Sequence, residues 1–175
     1  MRTGNHTLTG LSLAMLLLAS GARPDQKAER DAFSEAILAM DKDIADAKRN
    51  FTKILEPFQN GQPGDRAELH KAYDRFTGSV ASALSRASAL KAPPTPDCRD
   101  LLKTFLDFLA VEQDPVAIEL KTILAKLDEK EGKLDVLAKL EIIGILNKCG
   151  DAEKPPRDRM GEAAREFDRV DKTVK

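Results

Sequence analysis

Tryptophan is absent from this 175-residue chain, tyrosine occurs once, as Tyr73, and histidine and cysteine occur twice each. Each shortage excludes a class of chemistry. Few aromatic side chains leave few platforms on which bases or sugars could stack. One of the two histidines, His6, lies in the extreme N-terminal segment, so His70 stands alone in the remainder. A single histidine cannot supply the paired Glu-x-x-His motifs of a di-iron bundle, nor a histidine-rich zinc set. The CxxCH motif of an attached haem is missing. Haem ligation by His70 with Met40 or Met160 is formally conceivable, but both methionines fall on heptad seams and read as core. An excess of charge of one sign is lacking too, with 28 basic against 29 acidic residues. A near-neutral surface of interspersed signs does not suit nucleic acid or an anionic membrane. There is no G-x-S-x-G elbow and no glycine-rich phosphate loop. We therefore expect no enzyme, no cofactor and no metal site.

What is present begins with an address. Arg2 precedes an eleven-residue apolar run, Leu8–Leu18, followed by small residues at 19–22 and then Pro24. This pattern reads as a secretory signal peptide over residues 1–22, since a membrane span needs about 20 apolar residues. The expected product is an exported protein, periplasmic or extracellular, with no stable membrane insertion after cleavage. Residues 23–175 are long enough for one helical domain with a real core.

Helix signals then follow with little between them. Phe33, Ile37, Met40, Ile44, Ala47, Phe51, Ile54 and Phe58 recur at alternating spacings of four and three. A period near 3.5 predicts coiled-coil-like, left-handed packing. Asn60–Gly64 (NGQPG) is a turn, and Asp65 with Glu68 three residues on has the form of a capping box. Leu69, Tyr73, Phe76, Val80, Ala83, Ala87 and Leu90 continue the heptad, with Ser79, Ser82, Ser85 and Ser88 read as a small-residue packing face. Lys91–Pro96 (KAPPTP) closes that helix, and Thr95-Pro96 reads as an N-cap followed by a first-turn proline. Leu101 to Leu109 carries a wide apolar stripe. Asp114-Pro115 predicts a kink or a fresh start before Val116, Leu120, Ile123 and Leu127. Leu134–Cys149 is apolar almost all round in its second half, which predicts a central helix covered by the others. After it, Pro155-Pro156 predicts a break before a last stripe of Met160, Ala163, Phe167, Val170 and Val174.

No period-two alternation occurs. The expected fold is all-α, an antiparallel up-and-down bundle of four long helices, the last broken near Pro155-Pro156. Cys98 and Cys149 are candidates for a disulfide or for free thiols. Closing the loop between them would stabilise by about 4 kcal/mol on the chain-entropy model. Geometry decides between the two. If the helix from Cys98 runs unbroken to Lys130, the sulfurs lie roughly 20 Å apart along the axis; if the chain folds back at Pro115, they can meet. Cys98 also sits in a first helical turn, where the dipole favours a thiolate, but Asp97 and Asp100 oppose it. Carboxylates should be solvated, except Glu112, which falls in line with the apolar seam and needs a partner such as Arg75 or Lys148. Function is expected to reside in a surface that binds another protein or a second copy, with an envelope accessory role. The alternative is a bundle whose core binds a small apolar ligand or metal, which would require an unfilled cavity lined by Phe76, Phe105 and Phe108.

Overall fold

The computed structural model describes the backbone of residues 24–173 and the side chains of residues 26–172. The signal peptide expected over residues 1–22, and Val174, lie outside the described residues. Helix α1 (Pro24–Gln59) pairs with α2 (Arg66–Ala89), and α3 (Pro96–Val111) passes through a π-helical turn (Glu112–Val116) into α4 (Ala117–Glu129). Helix α5 (Val136–Thr173) then returns along that rod. The protein is an all-α helical bundle of four long helices, with α3, the π turn and α4 counting as one.

The helices end where local chemistry stops them. Gln62 N–H donates to the Pro57 carbonyl and Gly132 N–H to the Leu127 carbonyl, both at 2.8 Å. These five-residue closures satisfy the last carbonyls of α1 and α4. Gly132 has φ +80° and Gly61 φ +71°, left-handed conformations that glycine adopts without a Cβ penalty. Asp65 accepts from Glu68 N–H at 3.0 Å and caps α2, and Asp135 does the same for Ala138 N–H at 2.8 Å in α5. Thr95 precedes α3 in an extended conformation, but its hydroxyl makes no cap hydrogen bond and instead accepts from Arg30.

The heptad seams are the core. Phe33, Ile37, Met40, Ile44, Phe51 and Phe58 of α1 are buried, as are Leu69, Phe76, Val80, Ala83 and Ala87 of α2. The α3–α4 rod contributes Phe105, Phe108, Leu109, Val116 and Ile123 with no exposure at all. It packs on both α2 and α5, so the rod organises the bundle.

Three expectations are corrected. Leu134–Cys149 is not a covered central helix: Ala138, Ile142, Ile145 and Cys149 are buried, but Val136, Leu137, Leu140 and Ile143 face outward. This part of α5 packs on one side only, against the rod. The serines at 79, 82, 85 and 88 do not form a packing face; only Ser79 is half-buried, and Ala83 and Ala87 make the contact. A step of three residues turns about 60° short of a full circle, so three such steps wander around the helix. Finally, Pro155-Pro156 does not break α5, which remains helical through both prolines. Pro156 is itself buried, and Cys149 and Phe167 anchor the helix on either side.

Two glycine substitutions separate backbone from packing. A Cβ on Gly78 meets nothing within 4 Å, so Gly78→Ala should stabilise by about 1 kcal/mol through helix propensity. A Cβ on Gly64 would lie 2.5 Å from the ring of Phe58, which is only 2% exposed. Gly64→Ala should therefore destabilise by about 1–3 kcal/mol, as overpacking does. Urea unfolding midpoints check both.

Candidate functional site

Glu112 opens the π turn and is fully buried. The turn is there because Pro115 has no N–H to donate back along the helix, and a π-helical turn takes up the mismatch without ending the rod. Glu112 then points among charged groups from two other helices. Lys48 of α1 donates to Glu112 Oε2 at 3.4 Å and also to Glu153 of α5. Arg157 of α5 lies 4.0 Å from Glu112 Oε1 and 3.9 Å from Asp41 Oδ1 of α1. Its guanidinium carbon rests 4.6 Å above the Phe108 ring. Glu112 Oε1 and Asp41 Oδ1 have charge partners but no hydrogen bond. The partners expected from sequence, Arg75 and Lys148, are replaced by Lys48 and Arg157. The reason is the direction they face: Arg75 and Lys148 are both exposed, and Arg75 lines the outer groove between α1 and α2.

Burial governs the electrostatics here. It raises the Glu112 carboxyl above its ordinary pKa, although Lys48 and Arg157 pull the other way. It lowers the Lys48 ammonium although Glu112 favours its charge. Desolvation thus outweighs attraction for both members of the pair, as the cost of removing charges from water predicts.

A second cluster closes the other end of α1. Arg30, 4% exposed, pairs with Asp97 at 2.8 Å and donates to Thr95 Oγ1 at 3.2 Å. It also donates to the Phe167 carbonyl at 3.2 Å and lies 3.6 Å from Asp171. Its guanidinium carbon stands 4.3 Å over the Phe167 ring. Cys98 sits beneath it, with Arg30 Nη1 3.5 Å from the sulfur.

Cys98 and Cys149 are both free and buried. They belong to different clusters, Cys98 beside Arg30 and Cys149 within the field of Lys48 and Glu112. Burial raises both thiols above their ordinary pKa. For Cys98, burial and the neighbouring Asp97 outweigh Thr95 and Arg30, which argues against the reactive-thiolate reading. His70 lies at the surface of α2 and pairs with Asp128 of α4 at 3.0 Å. Met40 is buried in the α1 seam and Met160 is half-buried on α5. Among the described residues no group of three or more His, Cys, Asp or Glu is placed to hold a metal ion.

Phe76, Phe105 and Phe108 are each fully buried, and the last two rings stack at 6.3 Å. None of them lines the groove of about 530 Å³ between α1 and α2 over Met40, Ala47, Gly78 and Ala83. The charge clusters join α1, the rod and α5, with Arg157 and Asp171 partly exposed at their edges. The uncovered feature is the outer face of α5, where Val136 is 76% exposed, Leu137 67%, Leu140 60% and Ile143 46%. Among the described residues no helix is long and apolar enough to cross a membrane, so this face is not part of a span. Sequence reading flagged these residues but assigned them to the core.

Comparison with protein-family models, with curated proteins and with solved structures found no match. The site must be read from its own chemistry.

The Glu112–Lys48 pair gives a signed prediction. A carboxyl whose folded pKa is raised contributes stability that is complete below its unfolded pKa and is lost as pH rises through the folded value. Glu112→Gln should remove that loss, leaving stability at neutral pH unchanged or higher and flattening its dependence on pH above the ordinary glutamate range. Lys48→Met strands the carboxylate and should cost about 3–5 kcal/mol at pH 7. Combining it with Glu112→Gln should recover most of that. Urea unfolding at several pH values checks the set.

Proposed function

We propose that this is an exported, non-enzymatic helical-bundle protein that acts by binding another protein or itself, in an accessory role in the cell envelope. The observation that carries the reading is the uncovered apolar face at the start of α5. Four large apolar side chains on two successive turns stand in solvent on a chain that otherwise buries its seams. Contiguous exposed apolar surface of this kind marks interaction sites in soluble proteins. The export part rests on the sequence pattern of residues 1–22.

An intact mass measured under native, non-reducing conditions on the protein isolated from the cells that make it tests this. The expected species is the chain without residues 1–22, held with a second polypeptide. Leu137→Glu with Leu140→Glu should abolish that association while leaving the helical circular-dichroism signal, because exposed substitutions shift stability by only about 0.5 kcal/mol. A chain that keeps residues 1–22, or one that carries a bound small molecule and no partner, would overturn the reading.

A further inference from the structure

We infer that the partner of the α5 face is a second copy of this chain, docked antiparallel about a two-fold axis near residue 142. The inference rests on the interaction reading above and names the occupant. The argument is the distribution of size along the face. At about 100° per residue, Val136, Leu137, Leu140, Ile143, Gly144, Asn147 and Gly150 fall on one side of α5, and all seven are exposed. The large residues come first and the small ones last. Gly144 and Gly150 lie inside the helix, where glycine is unfavourable relative to alanine, and a Cβ on either would meet nothing within 4 Å. Nothing within the chain explains two glycines there.

A parallel neighbour would set leucine on leucine and glycine on glycine, leaving gaps. An antiparallel copy sets large on small. About an axis at residue 142, Leu140 lies over the second copy's Gly144 and Leu137 over the second copy's Asn147, and Ile143 lies beside the axis. Such a contact is isologous, so each pairing occurs twice and the assembly closes as a dimer. The charges agree. The same operation brings the end that carries Lys133 against the end that carries Asp151, and both are exposed. Glu141, which flanks the axis, is already held by Lys126 of its own chain, so two glutamates meeting there are each partly neutralised. The face spans roughly 20 Å at the helical rise. One helix–helix contact of that length falls at or below the lower end of standard interfaces, about 1,200 Å² in total, so the dimer should be weak.

Sedimentation equilibrium of the purified protein from about 1 to 200 µM should show a reversible monomer–dimer equilibrium with a Kd in the micromolar range. Gly144→Leu fills the space Leu140 needs and should weaken the dimer by at least about tenfold, with an unchanged far-ultraviolet circular-dichroism spectrum. Lys133→Glu should weaken it less, and Lys133→Glu with Asp151→Lys should restore it. A protein that stays monomeric across this range overturns the inference, as does a dimer indifferent to Gly144→Leu or a double charge swap that fails to restore association. If the purified protein is monomeric while the native mass shows another polypeptide bound, the second copy is excluded and the interaction reading survives. If neither association is found, both fall.

Discussion

The backbone's passage through Pro115 sets the rest of the structure. A proline in mid-helix removes one hydrogen bond and crowds the preceding turn, and the chain could have broken there. Instead the Glu112–Val116 turn widens to π geometry and the rod continues to Glu129. Buried positions run Phe108, Glu112, Val116, Leu120, three successive steps of four. In a straight α-helix each such step turns the stripe by about 40°. The wider turn takes up the drift, so the apolar face of α3 continues into that of α4. An unbroken rod offers two long sides, and α2 and α5 use one each. It also keeps Cys98 and Cys149 at different levels of the bundle.

The two charge clusters follow from the same geometry. Helices α1 and α5 are joined largely through long basic side chains, Arg30 at one level and Lys48 and Arg157 at another. Eighteen residues of α1 separate Arg30 from Lys48, about 27 Å of helix. Only one axial placement of α5 lets Phe167 and Asp171 reach Arg30 while Glu153 reaches Lys48. The aromatic rings beneath the cations, Phe167 under Arg30 and Phe108 under Arg157, add attraction that water does not offer. Because burial outweighs the Lys48–Glu112 attraction, that cluster contributes alignment of the helices more than stability.

Much of the fold was legible because heptads record burial directly. The seams from Phe33 to Phe58 and from Leu69 to Ala87 are buried or half-buried almost residue for residue. The Asp65 cap was legible because its chemistry is local. What failed was everything that depends on what lies across from a residue. Glu112 was picked out by its place in the seam, but its partners come from helices 64 and 45 positions away in sequence, beyond any local rule. The run of steps of four from Phe108 to Leu120 was the available sign of the π turn. Proline was read too strongly at 155 and 156, where packing on either side keeps the helix going, and serine spacing was read without its drift around the axis.

The most instructive case is Leu134–Cys149. Its composition was read as demanding cover on every side, and the physics behind that reading is sound, because exposed apolar surface costs free energy in water. The error was to assume that four helices supply cover on every side. Four helices in a bundle give each one only two close neighbours, and α5 spends one side on the rod through Ala138, Ile142, Ile145 and Cys149. Its opposite side has no neighbour left in the topology. An apolar helix at the edge of a four-helix bundle is therefore left uncovered on one side within its own chain, and that is the observation on which the proposed dimer rests. On that proposal, bulk at one end and glycine at the other fits best against its own reverse.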